Sequence, residues 1–317
     1  MAEKRKLTRE TSRGQVEYVR GNPGQTVDLD GQEIFFRQPR ERKTGSSAAV
    51  YIHGLGASST NWNELQGLME PDVYGTALDL PGFGQSGPAS DGDYSPNAHA
   101  EVVANFIRQQ LDGEPVHVFG NSMGGAVSLR LVSNHPELVK SVTYVSPALH
   151  NRLMTTNVQI PLVTLPFLGG KFADLSRRVS PERQVSDMYK RVFADHNRVH
   201  PQRMEDAVAD AHSRRDVPHV TEALVGSAKG LVSELLGRSD QKALKRLSQV
   251  KKPSLFIYGR HDSLVDSTGA FKVTKAVPQA RVVVFPHSGH VAQMEDPDLV
   301  AMAWQEFIYP ITDGRAK

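Results

Sequence analysis

The chain has 317 residues, of which 39% are hydrophobic and 7% aromatic, and a formal charge of +2 at neutral pH. That is enough apolar material for one large domain, or a core with an insertion, and too little net charge to imply a nucleic-acid partner. The sequence contains no cysteine, which excludes disulfides, thiolate catalysis and cysteine-based metal sites and fits a reducing compartment.

Residues Met1-Ala2-Glu3-Lys4-Arg5-Lys6 are charged and lack the apolar stretch of a signal peptide. The longest apolar run, Val158 to Gly170, is broken by Pro161 and Pro166 and falls short of the roughly 18 residues of a membrane span. A cytoplasmic protein with no integral membrane segment is therefore expected. Residues 1–24 are polar and basic and read as a poorly ordered extension. Thr26 to Leu29 and Ile34 to Arg37, separated by Asp30-Gly31, predict a hairpin.

From Ala48 onward, apolar strands alternate with helical patterns. Strands are predicted at Ala48 to Ile52, Tyr74 to Leu80, Val116 to Gly120 and Ser141 to Val145. Helices are expected at Asn61 to Met69, Ser95 to Leu111 and from Gly125 to about Asn134. The rhythm stops at Pro147. Residues 148–248 read as helices joined by turns bearing proline and glycine. Between Lys171 and Lys251 there are 16 Lys and Arg against 11 Asp and Glu, so this stretch is basic while the remainder of the chain is acidic. The alternation resumes with strands at Ser254 to Tyr258 and Arg281 to Phe285, and helices near Ser267 to Ala276 and from Pro297 to about Phe307. This predicts an α/β core (25–147 and 249–317) built on a mostly parallel sheet with helices on both faces. Residues 148–248 form an inserted helical cap.

The stretch Gly120-Asn121-Ser122-Met123-Gly124-Gly125, between an apolar strand and a helix, has the form of a nucleophile elbow. Such a turn holds the serine on strained backbone, and its glycines avoid clashes as the chain closes. A serine hydroxyl needs a base, and the base an orienting carboxylate. Asp262 follows the strand ending at Tyr258, and His290 follows the strand ending at Phe285. Parallel strands bring these C-terminal ends to one sheet edge, and the chain order Ser, Asp, His is that of hydrolases built on such a sheet. The oxyanion donors expected are the backbone N–H groups of Met123 and Leu55. His53, Gly54 and Gly56 would support the Leu55 loop. His261 and His287 read as structural. His196, His200, His212 and His219 lack an acidic partner at ligand spacing and predict no metal site.

The motifs His53-Gly54-Leu55-Gly56, Asp79-Leu80-Pro81-Gly82-Phe83-Gly84, Gly120 to Gly125, Gly259-Arg260-His261-Asp262 and Ser288-Gly289-His290 resemble those of the α/β-hydrolase superfamily. The likeness implies that fold, with Ser122 as nucleophile, His290 as general base, Asp262 as its orienter, and no cofactor or metal. Serine at the elbow argues against haloalkane dehalogenases and epoxide hydrolases, which typically place aspartate there. The leading expectation is hydrolysis of a small ester or acyl substrate with a short to medium chain. Its acyl pocket would be lined by Leu162, Leu165, Phe167, Leu168 and Val291. The alternative is a meta-cleavage C–C bond hydrolase, similar around Ser122 and His290, although Val291 stands where those enzymes usually carry an aromatic residue. Acyl transfer or perhydrolysis would use the same triad, and a non-catalytic binding protein would be expected to have lost a member of it. The oligomeric state is not encoded in any motif.

Overall fold

A computed structural model describes residues 14–149, 178–236 and 240–312. The first two strands, β1 (Gly24–Leu29) and β2 (Gln32–Arg37), form the predicted hairpin. Its turn places Asp30 and Gly31 at φ 55° and 90°, the left-handed pair that a two-residue turn requires. The Asp28 carboxylate accepts from the Gly31 N–H at 2.7 Å.

Next come β3 (Ser47–Ile52), α1 (Asn63–Met69), β4 (Val73–Leu78), α2 (Pro96–Gln110), β5 (Val116–Asn121), α3 (Met123–Asn134) and β6 (Val139–Val145). After the insertion follow β7 (Ser254–Gly259), α8 (Gly269–Ala276), β8 (Arg281–Phe285), the short α9 (Ala292–Glu295) and α10 (Pro297–Thr312). The strands form one eight-stranded sheet in the order β1-β2-β4-β3-β5-β6-β7-β8. Pairing is parallel from β4 through β8 and antiparallel at the β1–β2 edge.

Two-residue periodicity sends the side chains of each central strand to opposite faces. Ala48, Val50, Ile52, Val118, Phe256 and Tyr258 join the core under α2 and α3. Ala49, Tyr51, Phe119, Leu255 and Ile257 join a second core with Trp304 and Phe307 of α10. Both faces are covered, which is why β5 and β7 are buried along their whole length.

The insertion contains α4 (Pro181–Val192), α5 (Pro201–Arg214), α6 (Pro218–Leu236) and α7 (Asp240–Gln249). Proline at the start of α4 and α5 fits the first helical turn, where the N–H has no partner to lose. Among the described residues, the helices of the insertion pack in two groups. Ala223 and Leu231 of α6, with Ala243 and Leu247 of α7, are continuous with the main core. Val185 and Tyr189 of α4 form a separate cluster with Phe193, Val199, Val291 and Met294.

Of the N-terminal extension, residues 1–13 lie outside the described residues, and the rest has partners. From Gly14 onward it lies against the insertion: Val16 N–H donates to the Arg198 carbonyl at 2.9 Å, and Tyr18 hydroxyl donates to Asp206 at 2.7 Å. Polar composition suggested solvent, but these polar groups have partners on α5 and the turn before it.

Arg203 of α5 reaches into the core. Its Nε donates to Glu64 Oε1 at 2.7 Å and a terminal nitrogen donates to the Thr60 carbonyl at 3.1 Å; Arg203 and Glu64 are 7% and 2% exposed. Burial pushes the Glu64 carboxyl above its usual range, while the Arg203 guanidinium pulls it back. Arg203→Ala would leave that carboxylate buried without its cation. We expect a loss of about 3–5 kcal/mol in urea unfolding; a change below about 1 kcal/mol would show that the pair does not anchor α5.

Candidate active site

Ser122 sits between β5 and α3 at φ 54° and ψ −115°, strained for any residue with a side chain. The strain is held by close packing around it. A Cβ on Gly124 would lie 2.2 Å from the Ile52 carbonyl oxygen, and one on Gly120 would lie 2.4 Å from the Gly124 oxygen. The turn is tied to β6 by Ser122 N–H donating to the Val145 carbonyl at 3.0 Å. Met123 begins α3, so its N–H has no carbonyl one turn earlier within the helix and points toward the serine end.

The loop after β3 approaches the same point: a Cβ on Gly54 would lie 3.2 Å from the Cβ of Ser122. Gly56, the residue after Leu55, takes φ 72°, the left-handed region that favours glycine. His53 is fully buried and explains how the loop is held. Its Nε2 accepts from Leu80 N–H at 3.0 Å, so its Nδ1 carries the proton and donates to the Gly54 carbonyl at 2.7 Å. Burial holds its pKa below the usual histidine range, against the pull of Asp79 and of that carbonyl. Both ring nitrogens are thus engaged in loop support.

Asp262 and His290 come together although 28 residues separate them. His290 Nδ1 lies 3.0 Å and 2.9 Å from the two carboxylate oxygens of Asp262. Arg260 N–H donates to the Phe285 carbonyl and His261 N–H to the Ser288 carbonyl, which extends the β7–β8 pairing into the two loops. Burial opposes the Asp262 charge. The imidazole, together with the N–H groups of Val265 and Leu264, outweighs it and holds the carboxyl below its ordinary range. His261 and His287 are exposed.

A residue missed by sequence reasoning connects the two halves. Asn121 Nδ2 donates to the Val145 carbonyl and to the His290 carbonyl, each at 3.1 Å. No pattern in a single sequence marks an asparagine for a contact 169 positions away.

Of the expected acyl pocket, Leu162, Leu165, Phe167 and Leu168 lie outside the described residues. Val291 is 3% exposed and packs with Tyr189, Phe193 and Met294 at the junction with α4. A cavity of about 580 Å3 lies between α4, α5 and residues 56–63. Arg37, Asp79, Asp210 and Arg214 are among its walls; Ser122, Asp262 and His290 are not. Among the described residues no three His, Asp or Glu side chains are placed to hold a metal ion. His200 caps α5 through Nδ1, and His212 Nε2 lies 2.7 Å from Glu182. No described helix is long and apolar enough to cross a membrane.

A family model described as the alpha/beta hydrolase fold matches residues 50–297. The chain belongs to this family. The chain is 30% identical, over 86% of its length, to the dihydrolipoyllysine-residue acetyltransferase component of the acetoin cleaving system of Cupriavidus necator, and spans 65% of that relative. It is 26% identical, over 84% of its length and 88% of the relative's, to a 2-hydroxy-6-oxononadienedioate/2-hydroxy-6-oxononatrienedioate hydrolase of Cupriavidus pinatubonensis. Among solved structures, a thermophilic esterase from Thermogutta terrifontis aligns with a TM-score of 0.68 at 21% identity, covering 89% of this chain and 96% of the esterase. That likeness concerns the fold.

Proposed function

We propose that the protein is a serine hydrolase that cleaves carboxylic esters of short to medium acyl chains through an acyl-enzyme, using no cofactor. The observation that carries this reading is the Asp262 carboxylate on His290 Nδ1, at 2.9 Å and 3.0 Å, with Asn121, the residue before the strained Ser122, donating to the His290 carbonyl at 3.1 Å. A proton on Nδ1 leaves Nε2 with its lone pair, the tautomer a general base needs.

Ser122 Oγ then attacks the acyl carbonyl and its proton passes to His290 Nε2. The oxyanion faces the N–H groups of Met123 and Leu55. Collapse expels the alcohol, which takes the proton from the imidazolium. Water, deprotonated by His290, attacks the acyl-serine and releases the acid.

The Cupriavidus pinatubonensis relative favours a second reading, cleavage of a C–C bond in a vinylogous diketone by the same three residues. Steady-state kinetics on p-nitrophenyl esters of graded chain length, beside one ring-fission product, decides between them. We expect kcat/KM to be highest for acyl chains of about two to eight carbons and at least about 100-fold lower for the ring-fission product, a ratio of about 2.7 kcal/mol in transition-state binding. The reverse order would replace the ester reading by the C–C one.

A further inference from the structure

Helix α4 ends at Val192 above the two loops that carry Asp262 and His290. The last carbonyls of a helix have no partner within it. Here the core supplies the donors: Ser263 hydroxyl donates to the Arg191 carbonyl at 2.7 Å, and His290 N–H to the Val192 carbonyl at 2.7 Å. The residue beside the histidine is pressed against the same turn, since a Cβ on Gly289 would lie 2.6 Å from both Ala194 N and the Val192 oxygen.

Glu295, 0% exposed, closes this junction. Its Oε2 accepts from Gly289 N–H at 2.7 Å and from Ala194 N–H at 3.1 Å, while Oε1 lies 3.2 Å from Ala194 N and 3.3 Å from Asp195 N. One carboxylate therefore gathers donors from the chain just before His290 and the chain just after α4. Arg198 steadies the arrangement through Asp296, at 3.2 Å. The His290 carbonyl is meanwhile held by Asn121. These anchors fix the backbone from which the imidazole reaches Asp262.

We infer that Glu295 is a positioning residue for His290: it clamps the histidine loop to the end of α4, so that the base keeps its place only while the insertion is seated. The inference rests on the proposed role of His290. Burial pushes the Glu295 carboxyl above its usual range, while the N–H groups of Gly289, Ala194 and Asp195 favour its ionised form, with Arg198 3.7 Å from Oε1. A glutamine would accept on one oxygen and turn its amide donors toward at least one of the same N–H groups. An aspartate keeps the charge but is one methylene too short to span both loops.

The test uses the full-length protein with p-nitrophenyl butyrate, and the rate of fluorophosphonate labelling as a second readout. Glu295→Gln is expected to lower kcat by up to about 100-fold, the scale of a small displacement of a reacting group, with KM within about twofold. Glu295→Asp is expected to show a smaller loss of the same kind and serves if the glutamine variant does not fold. In a His290→Ala background, either substitution should cost nothing further, because there is no base left to position. A folded Glu295 variant with wild-type kcat would overturn the inference, as would an equal loss with and without His290. Full turnover by His290→Ala would remove the general-base reading and this inference together. An inactive His290→Ala beside a fully active Glu295→Gln removes the positioning role alone.

Discussion

Ser122→Ala is expected to lower ester turnover by about a millionfold, the scale seen when a triad nucleophile is removed, and to abolish fluorophosphonate labelling. What survives should be the share of catalysis from the oxyanion donors and binding, about 10^3 to 10^4 over water. The same position tests the strain. Serine and alanine both carry a Cβ, so alanine keeps the cost of φ 54° and should leave stability nearly unchanged. Ser122→Gly removes that cost and should stabilise the fold by about 1 kcal/mol in urea while being equally inactive. Retained labelling in Ser122→Ala would place the nucleophile elsewhere. A glycine variant no more stable than the alanine one would show that the turn is relaxed by its surroundings.

The elbow was readable because each of its requirements is local: an apolar strand, glycines where a Cβ would strike the Ile52 or Gly124 carbonyl, and a helix beginning at once. Asp262 and His290 were readable for a related reason, because each follows a buried strand and parallel pairing brings strand ends together. The Asp30-Gly31 turn likewise announces its own backbone. What could not be read are contacts between segments with no shared local pattern. Asn121 meets His290 across 169 positions, and Glu295 meets Ala194 across 101. Nor does the hydrophobic pattern separate α4 from α7. Both are amphipathic helices of a basic insertion, yet Tyr189 packs beside Val291 and Leu247 packs in the main core. Val291 follows the histidine in sequence, but its burial against α4 depends on where the insertion returns. Tyr18 is a like case, polar at its tip and bonded to Asp206 188 positions on.

Asp262→Asn is the sharper test of how His290 is oriented. Asp262 Oδ1 accepts from Leu264 N–H at 2.8 Å and Val265 N–H at 2.9 Å, and these bonds shape the loop. An asparagine would keep its oxygen there, because only an acceptor suits two N–H donors. Its amide nitrogen then falls where Oδ2 stands, 2.9 Å from His290 Nδ1, and donates to it. Nδ1 becomes the acceptor, the ring proton moves to Nε2, and the nitrogen proposed to take the serine proton loses its lone pair. We expect kcat to fall by about 10^4-fold, with circular dichroism and thermal unfolding close to wild type because size and loop bonds are preserved. The carboxyl of Asp262 is held below its usual range, so protonation of this group should cost no wild-type activity between pH 7 and pH 5. Turnover of Asp262→Asn within about tenfold of wild type would mean that another carboxylate orients the base. Loss of the folded state together with activity would instead assign Asp262 to the loop formed with Leu264 and Val265.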